Sequence, residues 1–300
     1  MRHVLGVDAG GTKTRALLAD ENGRVVGGGR GGGANLKMHG ELEVEKVLHQ
    51  VIEEAEAEAA ARADALALGI AGADRPEDHD VLKAILRRMG YRRRVLVTND
   101  AQLAFEAGSP GRIGLALVCG TGSIAWGQNG AGEIARAGGW GWHLGDEGSG
   151  FWIGMAALRA VLRASDGRGP STALETPLLA HFGIAGVEEL VRVVYDADFP
   201  RHRIAVFARQ VAETSAEGDV VARDILSAAA RELASAADSV RQRLGLRKSS
   251  YDIVLAGGTF AALPALADSV AALLSEPGAA VRRLEVEPAM GAVRLALEQL

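Results

Sequence analysis

The chain has 300 residues, of which 48% are hydrophobic and 24% are charged, a balance typical of a globular protein that is long enough for two lobes. Its formal net charge of -5 argues against a nucleic-acid partner, because affinity for phosphate backbones depends largely on clustered Lys and Arg. The single cysteine, Cys119, excludes an intramolecular disulfide and any cysteine-based metal cage built from one chain.

Two further features bear on partners and compartment. The basic cluster RRMGYRRR, residues 87–94, is typical of a solvated helix end that leads into a strand. The N-terminal MRHVLGVD runs into an apolar strand without a signal-peptide core, and no run of 18 apolar residues occurs. We therefore expect a cytoplasmic protein that binds neither nucleic acid nor membrane.

The first part of the chain alternates strand and helix patterns. Three strands are expected near residues 3–7, 14–20 and 24–29, with Asn22-Gly23 as a hairpin turn. An Ala/Glu-rich helix near 41–62, the strand ALALGIAGA, a helix near 76–89, the strand RVLVTND and the helical AQLAFEAG follow. This order predicts an α/β lobe whose sheet is covered by helices.

The stretch GVDAGGTKT, residues 6–14, places an aspartate beside a glycine-threonine turn. It narrowly fails the P-loop pattern, because Thr12 separates Gly11 from Lys13 and a strand, not a helix, follows. The glycines therefore join two antiparallel strands. Taken alone, the stretch fits an ordinary hairpin turn as well as a phosphate-binding one.

The same pattern starts again near Ile113. IGLALVCGTGSIAWGQNGAGEIARAGG repeats the order of apolar strand, Gly-Thr turn, strand, Asn-Gly hairpin and strand, which predicts duplication of one unit. A mostly helical stretch near 151–244 follows, then YDIVLAGGTFAAL, the strand AVRRLEVE and a last helix from about Ala289. We expect an N-terminal lobe of residues 1–112 plus a C-terminal helix near 288–300, and a C-terminal lobe of residues 113–287 with a helical insertion.

Five segments carry a resemblance to a known superfamily. GVDAGGTKT, TNDAQLAF, LVCGTGSIA, VLAGGTFAAL and EPAMGAVRLAL resemble, in order and spacing, the phosphate 1, connect 1, phosphate 2, adenosine and connect 2 segments of the sugar kinase, hsp70 and actin superfamily. The resemblance spans the chain. It implies a two-lobed, actin-like ATPase fold of the ribonuclease H-like type, with duplicated βββαβαβα units around an interlobe cleft.

Two loops resemble a narrower branch. GGWGWHLGDEGSGFWIG and GGGANLKMHG are similar to loops of the BadF/BadG-type N-acetylglucosamine kinases and of bacterial glucosamine kinases. This resemblance implies an ATP-dependent kinase that phosphorylates the 6-hydroxyl of N-acetylglucosamine. Glucosamine remains the alternative acceptor, and dimers are frequent in the family, so a homodimer is expected.

The resemblance implies that three glycine-containing segments bind ATP. Backbone amides of two turns would form anion-binding nests for the phosphates, and the third segment would let adenosine approach the backbone closely. These residues are Gly10, Gly11, Thr12, Lys13, Gly120, Thr121, Gly122, Gly257, Gly258 and Thr259. Asp8 would hold Mg²⁺ through water, which explains an acid beside a phosphate turn.

Asp100 ends the strand VLVTND, where a carboxylate has no packing role. From the residues alone it is either the N-cap of the helix that starts at Ala101 or a carboxylate that points into the cleft. The family resemblance implies the second role, in which Asp100 acts as general base for the sugar 6-hydroxyl.

The resemblance also implies a sugar site with contributions from both lobes. Its residues are Asn35, Asp100, Ser123, Gly139, Trp140, Gly141 and Asp146. An Asn amide can donate to and accept from one sugar, and glycines leave the backbone free to approach it. Lys37 stands where human-type N-acetylglucosamine kinases carry a tryptophan, which leaves the shape of the acetamide pocket open. Trp126 and Trp152 are expected in an aromatic core under the second hairpin.

Two other classes share parts of this pattern. ATPases that activate radical dehydratases hold an iron–sulfur cluster at a dimer interface and need two cysteines per subunit, whereas this chain has only Cys119. Sugar-responsive repressors of the ROK family carry an N-terminal helix-turn-helix, whereas this sequence begins at its first sheet strand. Both classes are therefore disfavoured.

Overall fold

A computed structural model describes residues 2–73, 75–92, 94–196, 199–248 and 250–300. It contains two five-stranded sheets, one in each lobe, and helices cover both. No helix in these ranges combines the length and the apolar character that a bilayer crossing requires.

The N-terminal sheet is built from three antiparallel strands followed by two parallel ones. Its strand order is β3-β2-β1-β4-β5, with β1–β2 and β2–β3 antiparallel and β1–β4 and β4–β5 parallel. The elements are β1 (His3–Ala9), β2 (Lys13–Asp20), β3 (Val25–Gly32), α1 (Leu36–Ala59), β4 (Ala65–Ile70), α2 (Pro76–Arg88), β5 (Val95–Thr98) and α3 (Asp100–Gly108).

The C-terminal sheet repeats this topology. Its order is β10-β9-β6-β7-β8, again with an antiparallel meander and two parallel additions. The strands are β6 (Gly114–Cys119), β7 (Ser123–Gln128), β8 (Ile134–Gly138), β9 (Tyr251–Ala256) and β10 (Ala279–Arg283). The predicted duplication is therefore confirmed.

Helices replace the simple crossover of the first lobe between β8 and β9. This insertion comprises α4 (Gly150–Ser165), α5 (Glu175–Phe182), α6 (Leu190–Val194), α7 (His202–Val206), α8 (Ala208–Ala216) and α9 (Val220–Arg243). The last helices are α10 (Gly258–Ala262), α11 (Pro264–Leu274) and α12 (Ala289–Leu297).

Helices α3 and α12 lie against each other between the two sheets. A Cβ on Gly6 of β1 would come within 2.4 Å of the Val293 backbone nitrogen, so α12 contacts the N-terminal sheet closely. On the other side, Phe105 of α3 contacts the buried Trp126 of β7, with ring centroids 5.4 Å apart. Trp126 is thus buried, but its aromatic partner comes from the other lobe and not from the second hairpin.

Two predicted element boundaries were wrong. Helix α1 begins with a short turn that Asn35 caps, and its backbone is not helical at Gly40, where φ is 74°, so the helix predicted near 41–62 corresponds to the part after this kink. The same helix ends at Ala59, since Ala60 adopts the left-handed conformation. Strand β10 ends at Arg283, so only the first part of AVRRLEVE is a strand.

Candidate active site

The first glycine turn joins β1 to β2. The Gly10 amide donates to the Lys13 carbonyl at 2.9 Å, which closes the turn, and the Ala34 amide donates to the Gly10 carbonyl at 3.0 Å. A Cβ on Gly33 would lie 2.2 Å from the Gly11 carbonyl oxygen, so only glycine allows the chain after β3 to approach so closely. Sequence reasoning did not single out Gly33, although the run GGGAN was the available signal.

Asp8 lies at the end of β1 and is half-buried. Burial, and then the charge of Asp100, raise the pKa of Asp8 from its ordinary 3.8 to about 7, whereas Lys13 acts in the opposite direction. Glu287, just before α12, also raises this pKa and is held by Arg15 Nε at 2.8 Å. Asp8 is therefore a carboxylate whose negative charge is poorly compensated.

Strand register explains why Asp8 and Asp100 interact. Asp8 pairs with Gly69 of β4, Gly69 pairs with Thr98 of β5, and all three strands run parallel. The carboxyl ends of parallel strands meet at one edge of the sheet, where ligands bind in open α/β folds. Asp100 follows Thr98 by two residues, so both carboxylates lie at that edge.

Asp100 is the first residue of α3, and it is not the N-cap. Asn99 has the extended cap conformation, and its side-chain oxygen accepts from the Gln102 amide at 2.8 Å. The alternative structural role considered for Asp100 is thus filled by its neighbour. Asp100 itself is half-buried, and its charge acts on Asp8 at the same edge of the sheet.

The second glycine turn, between β6 and β7, is anchored to other parts of the C-terminal lobe. The Gly120 amide donates to the Gly122 carbonyl at 2.9 Å, and the Gly120 carbonyl accepts from the Gly150 amide at 2.9 Å. The same carbonyl accepts from the Thr259 hydroxyl at 2.8 Å. Thr259 therefore links the expected adenosine segment to this turn.

The two glycines of the adenosine segment differ in their surroundings. Gly257 has φ 108°, and a Cβ there would lie 2.3 Å from the Cys119 carbonyl oxygen. A Cβ on Gly258 would meet nothing within 4 Å. Gly257 is thus required by the contact between β9 and β6, whereas Gly258 faces open space at the start of α10.

The loop after β8 brings four of the expected sugar residues together. Gly139 and Gly141 have φ of 70° and 82°, and the Gly139 amide donates to the Ser123 carbonyl at 2.9 Å. Between them Trp140 is 63% exposed, and the Arg136 guanidinium carbon lies 4.7 Å from the centroid of its ring. The Ser123 hydroxyl donates to the Glu147 carbonyl at 2.8 Å.

Asp146 lies against the second glycine turn. It has a left-handed backbone with φ 60°, a conformation that Asp tolerates better than most residues. Its carboxylate accepts from the Ser123 amide at 3.4 Å, and a Cβ on Gly122 would come within 2.7 Å of one carboxylate oxygen. Burial raises the pKa of Asp146 above its ordinary value.

Asn35 is the N-cap of α1. Its side-chain oxygen accepts from the amides of Lys37 and Met38 at 3.0 and 3.2 Å, and a Cβ on Gly72 would lie 3.0 Å from its side-chain nitrogen. Lys37 pairs with Asp78 of α2 at 3.4 Å. The oxygen of Asn35 thus has a structural partner within α1.

Within the described residues, no three His, Cys, Asp or Glu side chains lie close enough together to form a protein-only metal site. Mg²⁺ usually takes one or two carboxylates and completes its shell with water and substrate phosphates. Asp8 fits that requirement. Its burial and the negative charges of Asp100 and Glu287 disfavour its charged form, and a bound cation would compensate this charge.

Two known proteins have sequences that align with nearly the whole chain. It is 33% identical over 301 residues to the N-acetylmuramic acid/N-acetylglucosamine kinase of Clostridium acetobutylicum, covering 99% of this chain and 98% of that one. It is 32% identical over 309 residues to the N-acetyl-D-glucosamine kinase of Dictyostelium discoideum, covering 98% and 97% of the two chains.

Comparison of structures and of family models agrees with these relatives. A crystal structure of a candidate N-acetylglucosamine kinase from Chromobacterium violaceum superposes with a TM-score of 0.80 at 24% identity, over 99% of both chains, and so shares the fold. Residues 5–296 match the model of one family. The resemblance seen in the sequence is confirmed, and the chain belongs to the BadF/BadG/BcrA/BcrD ATPase family.

Proposed function

We propose that this protein is an ATP-dependent kinase that transfers the γ-phosphate of ATP to the 6-hydroxyl of N-acetylglucosamine. Glucosamine is the alternative acceptor for the same chemistry. The observation that carries the proposal is the pair of carboxylates, Asp8 and Asp100, at the carboxyl edge of parallel strands beside a glycine turn. The names of the two curated relatives support the substrate class.

The two glycine turns are proposed to hold the ATP phosphates. Gly10 and Gly120 each use their amide to close their own turn, so we assign phosphate binding to the amides that follow. These are the amides of Gly11, Thr12, Thr121 and Gly122, with the Lys13 ammonium as a nearby positive charge. Gly258, which faces open space, is assigned to close approach of the adenosine.

Mg²⁺ is proposed to accompany ATP, with Asp8 as its protein ligand, acting through water. When bound, the ion would neutralise charge on the phosphates. The raised pKa of Asp8 supports this role, because a carboxylate that burial destabilises in its charged form gains from a cation.

Asp100 is proposed to accept the proton of the sugar 6-hydroxyl as that oxygen attacks the γ-phosphorus. The oxygen–phosphorus bond forms while the bond to the leaving ADP oxygen breaks, so the reaction needs no redox partner. A positioned general base of this kind contributes roughly 10²–10⁴-fold in rate. Asp100 also orients the hydroxyl for in-line attack.

The sugar is proposed to lie between Asn35 of the N-terminal lobe and the loop Gly139–Gly141 of the C-terminal lobe. The side-chain nitrogen of Asn35 would donate to the sugar, since the oxygen already caps α1. Asp146 and Ser123 would contact its hydroxyls from the second turn. Closure of the two lobes would then exclude water, which competes for the phosphoryl group.

The proposal also covers the compartment and the assembly of the protein. We propose action in the cytoplasm, where the phosphate donor ATP is available, and a homodimer by resemblance to the family. Light scattering coupled to size-exclusion chromatography tests the second statement directly.

A coupled assay of ADP release across glucosamine, N-acetylglucosamine, N-acetylmuramic acid and glucose tests the proposed function. An amino sugar should give the highest kcat/KM, and ADP release should depend on Mg²⁺. A 6-deoxy amino sugar should bind but accept no phosphate. Preference for glucose, or ADP release that no sugar stimulates, would contradict the proposal.

A further inference from the structure

Helix α4 begins directly beside the second glycine turn. The Gly150 amide donates to the Gly120 carbonyl at 2.9 Å, and the Phe151 amide donates to the Thr121 carbonyl at 3.3 Å. A Cβ on Gly150 would lie 2.8 Å from the Thr259 hydroxyl oxygen, so glycine allows the helix to approach the turn this closely. The first two amides of α4 therefore hold two carbonyls of the turn.

The other amides at the start of α4 also have partners. An α-helix leaves its first four amides without a partner inside the helix. The Ser149 amide donates to the Asp146 carbonyl at 3.1 Å, and the Trp152 amide donates to the Ser149 hydroxyl at 3.2 Å. Each of these four amides is thus already bonded within the protein. The hydrogen bonds of α4 can therefore reach ATP only through the turn.

The bonded carbonyls belong to the peptide groups that carry two of the proposed phosphate donors. The Gly120 carbonyl and the Thr121 amide share one peptide group, and the Thr121 carbonyl and the Gly122 amide share the next. In a trans peptide group the carbonyl and the amide point in opposite directions. Hydrogen bonds that hold both carbonyls against α4 therefore direct both amides away from it. A carbonyl that accepts a hydrogen bond also makes the amide of its peptide group a stronger donor.

The chain just before α4 bonds to both flanks of the same turn. The Ser123 hydroxyl, after the turn, donates to the Glu147 carbonyl at 2.8 Å. The Cys119 thiol, before the turn, donates to the Gly148 carbonyl at 3.7 Å. Residues 147–151 thus run along the turn, whereas a Cβ on Gly120 would meet nothing within 4 Å. The turn is held along its length and still has open space beside it.

Ser149 stabilises the start of α4. It is the N-cap, and its hydroxyl is fully buried. Loss of an N-cap side chain destabilises the first turn of a helix. We propose that Ser149 is a positioning residue for the ATP phosphates, because its cap keeps the amides of Thr121 and Gly122 directed at them. This inference rests on the proposed function, in which these amides bind ATP.

The test compares ATP with adenosine, which has no phosphate, in matched variants. Ser149→Ala removes the cap of α4, and Ser149→Thr keeps a hydroxyl at the same position. Asp219→Ala is the control, because Asp219 caps α9 in the same lobe through the Ala222 amide at 2.8 Å. Calorimetric titration would give the Kd of each ligand, and melting temperatures would establish that each variant is folded.

Ser149→Ala should raise the Kd of ATP roughly three- to tenfold, in proportion to the stability that an N-cap provides. Its Kd for adenosine should stay within about twofold of the wild type, because adenosine does not need the second turn. Ser149→Thr should bind ATP nearly as well as the wild type. Asp219→Ala should lose stability and bind both ligands normally.

Hydrogen exchange of the wild type gives a second measurement that needs no variant. The amides of Gly150 and Phe151 should be protected without ligand, since the turn carbonyls already accept from them. The amides of Thr121 and Gly122 should become protected only when ATP binds.

The outcomes separate this inference from the proposed function. Equal losses of affinity for ATP and adenosine in Ser149→Ala, or unchanged ATP affinity in that variant, would overturn the inference and leave the kinase assignment intact. Folded Ser149→Thr that binds ATP as weakly as Ser149→Ala, an equal loss of ATP affinity in Asp219→Ala, or freely exchanging amides at Gly150 and Phe151 would do the same. A wild type that binds no ATP, or whose ADP release no amino sugar stimulates, would overturn both.

Discussion

The two lobes contain the same hairpin turn in different surroundings. Strand orders β3-β2-β1-β4-β5 and β10-β9-β6-β7-β8 are equivalent, and in each lobe a glycine-threonine turn joins the central strand to its antiparallel neighbour. In the C-terminal lobe the Gly120 carbonyl accepts hydrogen bonds from Thr259 and Gly150. In the N-terminal lobe the Gly10 carbonyl accepts from Ala34, and the following Thr12 and Lys13 are exposed.

This difference indicates that the two duplicated turns have different roles. The C-terminal turn is held by residues distant in sequence, so its backbone donors are positioned before a ligand binds. The N-terminal turn is bordered by charged side chains, with Asp8 before it and Lys13 at its end. We infer that the N-terminal lobe contributes the charges of the reaction and the C-terminal lobe contributes a rigid frame.

The largest expected effect comes from the charges of the N-terminal lobe. Asp100→Asn keeps the size of the side chain but removes its ability to accept a proton, so kcat should fall roughly 100-fold or more while ATP affinity changes little. Steady-state kinetics on the purified variant would measure this, with a 6-deoxy sugar as a competitive inhibitor.

Asp146→Asn is the matched control in the other lobe. Its carboxylate is proposed to bind the sugar and not to take its proton, so the KM for sugar should rise more than kcat falls. A near-normal kcat in folded Asp100→Asn would contradict the assignment of the base, and Asp146 would become the next candidate.

Substitution of two adjacent glycines, Gly257 and Gly258, tests whether the C-terminal lobe is rigid beside the second turn. Gly257→Ala should lower stability by roughly 1–3 kcal/mol, because the new Cβ meets the Cys119 carbonyl and the backbone φ is 108°. Gly258→Ala should fold normally, because nothing lies within 4 Å of the new Cβ, yet raise the KM for ATP if the adenosine occupies that space. Denaturant unfolding and ATP titration separate the effects, and equal stability of the two variants would contradict the contact.

Substitution of one threonine in each lobe should show the same difference between the two turns, with smaller effects on stability. Thr259→Val removes the buried hydrogen bond to Gly120 and should cost about 1 kcal/mol of the free energy of unfolding. Thr12→Val, at an exposed turn position, should change stability by less than about 0.5 kcal/mol. The reverse order of stabilities in urea unfolding would show that the N-terminal turn is the more strongly held.

The architecture was predictable because its signals are local. Alternating apolar residues, the two Asn-Gly hairpins and the two glycine-threonine turns predict the strands and their repetition in the correct order. The cap of α3 was not predictable to one residue, because Asn99 and Asp100 are both good N-cap residues. Only the backbone geometry distinguishes them, and it assigns the cap to Asn99.

The parts of the site that were missed depend on distant contacts. Thr259 bonds Gly120 across 139 residues of sequence, so no local pattern indicates that its hydroxyl supports the second turn. The pocket of about 280 Å³ between the lobes likewise combines residues from α2, β5, β8 and α9.

The poorly compensated charge of Asp8 should make the stability of the protein depend on pH. The pKa of this group is about 7 in the folded protein and near 3.8 in an ordinary environment, so the unfolded state loses its proton first. The stability that the protonated form provides is complete below about pH 3.8 and is lost as pH rises through 7. The asparagine side chain in Asp8→Asn cannot lose a proton. Without Mg²⁺ or nucleotide, the melting temperature of Asp8→Asn minus that of the wild type should therefore increase from pH 4.5 to 8 and then level off. A bound Mg²⁺–ATP complex should reverse the order by stabilising the wild type more. A constant difference in melting temperature between the two proteins from pH 4.5 to 8 would contradict the assignment of Asp8 as a half-buried carboxylate whose charge a bound cation compensates.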